Sequence, residues 1–534
     1  MSTKLSNGKT KGVDVPLIVV SLVLIFGLVI YLALDPERAK RVANVVFTAG
    51  SEFFGSYTLL FAFFGLLLLL GLAFSKYGSI RLGKGDPEYS TYSWVAMMLS
   101  AGLGSATMVW AFTEWVYYYT TPALGIEPES ATAYEWALPY NFFHWGFSAW
   151  GLYCLVALPV AYHFHVRRNK GLSLSATFLS VTGLGRHKWI GKIIDFVFIF
   201  TVFGALSITL GLTIPLIGRS VATAMGFQTS FWLELAIVIF VSVLFSLSSF
   251  IGISKGMKRL SGAATNLAIA FAAVVLVLGP TMFIIKNSVN GLGLMLQNFV
   301  RMSLWTDPIN NSGFPESWTV FYWLYWLTYT PFMALFVTRV SRGRSIRALI
   351  ANMVGSGSIG LMVFFGVLQS FSINANMTGK VDAPAVLAAQ GQDGLVITML
   401  QQLPISSVFI IAFALMSVLF LATTLDSASF TLASTVTPGL REGEDPSPFL
   451  RLFWCIMLAA VPLTMSFIKA DLNTIKTSAI ITAIPLSFIV IVLVIGMLRW
   501  MKIDYGPVPR ELVGSTWPES QAEVEADEAA VPID

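Results

Sequence analysis

Apolar residues in this 534-residue chain come in unbroken runs of about 20, the length of α-helix that crosses roughly 30 Å of hydrocarbon. Twelve runs can be drawn, at 15–33, 56–75, 94–118, 141–164, 189–217, 230–251, 262–285, 317–338, 347–371, 405–433, 448–468 and 475–499. They predict an all-α integral membrane protein with twelve transmembrane helices, because a helix satisfies its own backbone where no water is present. The first run follows a mostly polar stretch, 1–14, and no small-residue cleavage pattern comes after it. A retained helix is therefore predicted rather than a signal peptide. Between 287 and 305 apolar and polar residues mix without reaching spanning length. The connection 287–316 is read as carrying an amphipathic helix on the outer surface, an ordinary loop being the plainer alternative. The tail 501–534, rich in Pro, Glu, Asp and Ala, reads as an acidic, solvated cytoplasmic segment.

Charge gives the runs an orientation. With the N-terminus inside, alternate loops place 24 Lys and Arg on the inner side and 9 on the outer, so the positive-inside rule sets both termini in the cytoplasm. Two inner loops carry most of the asymmetry, with Arg167, Arg168, Lys170, Arg186, Lys188 and Lys192 in one and Arg339, Arg342, Arg344 and Arg347 in the other. The outer loop 119–140 holds Glu127, Glu129 and Glu135 and no basic residue. Composition agrees, at 56% apolar and 12% charged with a mean hydropathy of +0.74. A soluble enzyme and a disordered chain are both excluded. Cys154 and Cys455 lie inside apolar runs, and no disulfide framework follows from them.

A helix in lipid should avoid glycine clusters and proline at mid-depth unless the freed backbone groups serve a ligand or line a cavity. The third run carries Gly102, Gly104, Ser105 and Ala106 near its centre, and the eighth carries Thr328, Thr330 and Pro331. These runs are five apart. Runs three to seven (94–286) and eight to twelve (317–500) thus form two blocks of five, preceded by two extra helices at 15–93. A block with an odd number of helices inserts its copies in opposite orientations, which predicts inverted repeats with a site at their interface. Small residues also let helices pack closely, and glycines alone do not separate the two readings. The matched position of the proline favours a site.

Trp94, Trp318, Trp500 and Tyr322 fall where interfacial aromatics are expected. Tyr325, Trp326 and Tyr329 fall near mid-depth, as do Trp150 and Tyr153 of the fourth run, which also contains His144 and Trp145. A ring face attracts a cation by its quadrupole, worth about 0.5–2 kcal/mol per ring. Rings suit a quaternary ammonium, which donates no hydrogen bonds and carries diffuse charge. Bulk packing by aromatics is the competing account of any single ring. In the tenth run Thr423 and Thr424 precede Asp426, and hydroxyls beside carbonyls freed near Gly102 would suit a sodium ion. Threonines bonding back to their own helix, with Asp426 at a cytoplasmic turn, is the alternative. Glu114 is either a functional carboxylate or an interface residue. No metal cluster, nucleotide loop or nucleophile motif is present, and the four histidines are scattered.

In combination, FTEWVYYY (112–119), FHWGFSAW with Tyr153, WTVFYWLYWLTYTPF (318–332) followed by RVSRGRS (339–345), and TTLDSAS (423–429) resemble the betaine/carnitine/choline transporter family. The resemblance implies two inverted five-helix repeats after two extra helices, and a homotrimer in a bacterial cytoplasmic (inner) membrane. It implies secondary transport of a betaine-type solute, not enzymatic chemistry, with no cofactor beyond a coupling sodium. It places the substrate among Trp145, Trp150, Tyr153, Tyr325, Trp326 and Tyr329, with Tyr117 a further candidate. Sodium would be held by the carbonyls of Ser100, Leu103 and Phe420 and the hydroxyls of Thr423 and Thr424. The chain departs from the family in four places. Ala106 stands where a third glycine is frequent, and Tyr325 where Trp is common. Met333 matches sodium-independent members, whereas Lys258 stands where those exchangers carry an arginine. Sodium symport is the expected coupling, with sodium-independent substrate:product exchange as the alternative. The acidic tail does not support tail-based osmosensing.

Overall fold

The computed structural model describes residues 12–251, 258–440, 444–467 and 472–518; Lys255 and the C-terminal end of the acidic tail lie outside them. Among the described residues every regular element is helical, with one isolated bridge between Arg81 and Ser345. α1 (Val15–Leu34) and α2 (Pro36–Phe74) each start on an aspartate cap followed by proline, Asp14 and Asp35 accepting from Leu17 and Arg38. The third run is two helices, α3 (Thr91–Leu103) and α4 (Ala106–Thr120). They are separated at Gly104, whose φ of +45° only glycine adopts readily. The break expected near Gly102 and Gly104 is therefore present.

The fourth run is also two helices, α5 (Ala131–Trp145) and α6 (Phe147–Ala161), ending in a π-helical turn at Tyr162–Val166. Residues 131–140, read as outer loop, are thus helical, capped by Ser130. An apolar run does not mark them because Thr132, Tyr134 and Glu135 interrupt it, although Ala133 and residues 137–140 are buried. A short α7 (Leu174–Thr182) precedes α8 (Lys188–Met225), α9 (Phe231–Ile251) and α10 (Lys258–Leu278). The amphipathic segment is α11 (Thr281–Leu304), longer than expected and packed on α5 and α14 through Ile284, Gly291 and Met295.

α12 (Phe321–Val340) follows a π-helical turn at Pro315–Val320. It runs through Pro331 without interruption, which corrects the expected break in the eighth run. Proline there deprives the Leu327 carbonyl of its usual N–H. The Thr330 hydroxyl donates to that carbonyl at 2.8 Å, so the helix continues. α13 (Ile346–Ile350) and a π-helical turn at Ala351–Gly357 lead into α14 (Ser358–Met377), followed by α15 (Ala383–Leu400), α16 (Ser406–Thr435), α17 (Pro448–Phe467) and α18 (Leu472–Tyr505). Among the described residues eight helical stretches are long and apolar enough to cross a membrane. The apolar helices at Val15–Leu28, Phe231–Leu244 and Pro448–Ala459 are shorter by that measure, and the third run is split.

Loops that the alternating count assigns to one side meet there. Arg339 pairs with Glu88 (2.9 Å) and Asp445 (3.2 Å), Arg167 with Asp504 (2.6 Å), and the Asp14 amide donates to the Val436 carbonyl. On the opposite side Arg219 pairs with Asp393 at 2.5 Å and Asn290 donates to Glu135. Trp94, Trp318, Trp500 and Tyr322, expected as interfacial markers, are all buried. Trp94 donates to Ser341 at 3.0 Å and lies under the Arg344 guanidinium, so the RVSRGRS stretch fastens the end of α12 to the start of α3. Asp426 is not at a turn. It is fully buried in α16 and paired at 2.7 Å with Arg451 of α17, because a charge at that depth needs an opposite one.

Candidate functional site

α12 is buried along its length and packs on α6, α8 and α16, so aromatic side chains on it face other helices. Five of the expected rings converge on one narrow cavity, lined by Gly104, Ala106, Thr107, Trp145, Tyr153, Thr209, Tyr325, Trp326 and Tyr329. Its walls come from the break between α3 and α4, the end of α5, and the middles of α6, α8 and α12. The open space between the rings is about 10 Å³, room for little more than one water, so the rings have to part to admit a head group.

The rings are held edge to face. Trp326 meets Trp145 at 5.2 Å (87°) and Tyr153 at 5.1 Å (75°), and Tyr325 meets Tyr329 at 5.1 Å (80°). Three of the five rings have their polar atoms bonded to protein partners. The Trp326 indole donates to the His144 carbonyl at 2.9 Å, the Trp145 indole to Glu114 at 2.7 Å, and the Tyr329 hydroxyl to the Ala205 carbonyl at 2.8 Å. The Tyr329 hydroxyl also bonds Thr209. With the edges of Trp326, Trp145 and Tyr329 tied, those rings can offer π-faces, the arrangement that binds a cation lacking hydrogen-bond donors.

The carbonyl that holds Trp326 belongs to the last turn of α5, which stops at Gly146. A Cβ there would sit 2.3 Å from the Phe142 carbonyl oxygen and 2.6 Å from Met362 Cε. Glycine is therefore required, and the interruption lets Trp145 of α5 and Tyr153 of α6 face the same space. This second break escaped the sequence reading although the Trp–Gly–Phe step marks it. Thr209 escaped it too, and no local pattern distinguishes Thr209 from the other hydroxyls of α8. Trp150 and Tyr117, expected at the site, are not on the cavity wall. Trp150 stands behind Tyr153 at 5.8 Å and lies against Gly357, where a Cβ would come within 2.4 Å of its ring. Tyr117 packs on Trp110 and Trp318.

The residues expected at sodium lie on α3 and α16, which pack together. Ser100 and Leu103 are in the last turn of α3, where carbonyls run out of intrahelical donors. The Thr423 and Thr424 hydroxyls donate to the Leu419 and Phe420 carbonyls at 2.9 and 3.0 Å. Met333 is fully buried one turn beyond Tyr329, and Lys258 is exposed at the start of α10. Among the described residues no group of three or more His, Cys, Asp or Glu could hold a metal.

Residues 16–506 match the model of the betaine/carnitine/choline (BCCT) family of transporters. This chain belongs to the BCCT family. A protein from Acinetobacter baumannii (strain ATCC 19606) called a carnitine transporter is 43% identical over 497 residues, 93% of this chain and 90% of its own. The Escherichia coli (strain K12) transporter YeaV, itself uncharacterised, is 43% identical over 456 residues, 85% of this chain and 95% of its own. Among solved structures, a Na+-coupled sialic acid symporter in a substrate-bound outward-open state superposes with a TM-score of 0.44 at 12% identity, over 82% of this chain and 86% of that one. That likeness is too distant to bear on this chain. As a BCCT member the protein is a multi-pass membrane transporter rather than an enzyme.

Proposed function

We propose that the protein is a secondary active transporter that imports a trimethylammonium solute, carnitine first among glycine betaine, choline and their relatives. The observation that carries this reading is the convergence of Trp145, Tyr153, Tyr325, Trp326 and Tyr329 on one cavity beside an interrupted helix. The carnitine transporter relative, similar across nearly the whole chain, supports carnitine as the first substrate to test. Twelve spanning helices in two inverted five-helix repeats would carry the site at the midplane. Alternating access would expose it in turn to each face, both termini being cytoplasmic in a bacterial inner membrane and the assembly a homotrimer.

Sodium symport is the preferred coupling. A hydroxyl that donates to its own helix keeps its lone pairs, so Thr423 and Thr424 remain able to ligate a cation together with the Ser100, Leu103 and Phe420 carbonyls. Met333, buried near the box, favours the second reading, sodium-independent substrate:product exchange. Uptake of labelled carnitine into proteoliposomes, empty or preloaded, with and without a sodium gradient, separates the two. Sodium-driven accumulation in empty vesicles, weakened by Thr423→Ala with Thr424→Ala, is expected. Uptake only into preloaded vesicles and indifferent to sodium would establish exchange instead. No uptake of any trimethylammonium compound would refute both.

A further inference from the structure

Glu114 lies on α4 with no exposed surface, and three donors converge on it. Its Oε2 accepts from the Trp145 indole at 2.7 Å and from the Asn141 amide at 2.5 Å, and its Oε1 is bonded to the Tyr118 hydroxyl. This is the coordination of an acceptor-only carboxylate. Buried charges are ordinarily paired, as Asp426 is with Arg451. Glu114 has no such partner. Among the described residues no Lys or Arg pairs with it, and the titratable groups around it are Tyr118 on its own helix, Tyr322 from α12 and, one hydrogen bond further, His144 from α5. Among the described residues the other elements packed on α4, namely α8, α14 and α15, set no Lys or Arg against it, and Arg219 of α8 is paired with Asp393. α14 presents Gln369 and Ser372 to the Trp110 and Phe112 carbonyls, and α8 presents Thr213 to Ser105.

What does stand next to Glu114 is the cavity. Trp145 has its N–H on the carboxyl group and its ring on the cavity wall, so a single indole separates Glu114 from the cavity. We propose that Glu114 is the counter-charge of the substrate's ammonium group, acting through Trp145 as a positioning residue that makes the box select a cation over a neutral molecule of the same shape. Two physical effects add. Hydrogen bonding to a carboxylate polarises the indole and makes its face more negative, and the carboxylate's field reaches the head group through a medium of low dielectric, where little water screens it. A box made of rings alone would bind a trimethylammonium group partly as an apolar body. With Glu114 behind it, the positive charge becomes the property selected.

This inference rests on the transport reading and deepens it, so the test measures a ratio that the transport reading alone does not fix. Binding of carnitine, and of its isostere in which tert-butyl replaces trimethylammonium, is measured by calorimetry on the purified full-length protein in lipid nanodiscs. The wild type should prefer carnitine. Glu114→Gln keeps an acceptor for Trp145 but removes the charge, and it should reduce that preference about 10-fold or more while leaving the isostere's affinity within about threefold. Glu114→Asp should retain most of the preference. If Glu114→Gln weakens both ligands equally, Glu114 is a structural support and the proposal is overturned. Should Glu114→Gln fail to fold, Glu114→Leu with Asn141→Leu, which removes the charge together with one of its donors, reads the same ratio. Failure of the wild type to bind carnitine, betaine or choline would overturn the transport reading itself, an outcome distinct from an unchanged ratio.

Discussion

Trp326 is the centre of the aromatic box, and replacing it gives the sharpest test of the site. Its ring meets Trp145 at 5.2 Å and Tyr153 at 5.1 Å, and its indole is fixed by the His144 carbonyl at 2.9 Å. Trp326→Phe keeps a ring of reduced quadrupole in the same place and loses the fixing hydrogen bond. The lost cation–π attraction is part of about 0.5–2 kcal/mol, and the freed ring orientation adds part of a net hydrogen bond of about 0.5–1.5 kcal/mol. Together they predict binding weakened by about 1–2 kcal/mol, or about 5- to 30-fold. Trp326→Ala removes the face altogether and opens a core cavity, so binding should fall below detection while the protein still elutes at the wild-type oligomeric size. Calorimetric titration of carnitine in nanodiscs measures the first effect, and size-exclusion chromatography guards the second. Wild-type affinity in Trp326→Ala with the fold intact would refute the box, because Trp326 is the ring that joins Trp145 to Tyr153.

Three further outcomes follow from local geometry. Gly146→Ala places a Cβ 2.3 Å from a backbone carbonyl and should cost about 1–3 kcal/mol or more, lowering both melting temperature and carnitine affinity. Gly355→Ala, with nothing within 4 Å, is the control and should change neither. Asp426→Ala leaves Arg451 buried and unpaired and should cost about 3–5 kcal/mol. The double variant Asp426→Leu with Arg451→Met should recover much of the lost melting temperature, and equal destabilisation by both would contradict the pairing. Thr330→Val strips the Leu327 carbonyl of its donor beside Pro331 and should cost about 1–3 kcal/mol, seen as a lower melting temperature. An unchanged melt would mean that the carbonyl finds another partner.

Much of the helical plan was legible because apolar runs are a local property. Each of the twelve runs coincides with a helix or a pair of helices, and the break at Gly104 falls where the small residues cluster. Less was legible where a residue serves a distant partner. Pro331 looked like a break because the rule for proline concerns its own missing N–H, and only the structure shows the Thr330 hydroxyl filling the gap. Residues 131–140 looked like loop because polar residues interrupt their apolar run, and the helix they form is fixed by packing of its buried side on α4 and α11. Trp150 and Tyr117 share the chemistry of the box residues and differ only in where their helices point them.

The sequence alone determined that the chain enters a membrane, roughly where its helices run, and which side-chain chemistry is abundant at mid-depth. Partition into hydrocarbon depends on the composition of each stretch, whatever the rest of the chain does. Tertiary structure decided which rings meet. Helices that are apolar nearly all round carry no periodicity to say which face is inward. The rotation of α5, α6 and α12 that brings five rings to one cavity, and the placing of Glu114 behind Trp145, follow from packing against neighbours remote in the chain.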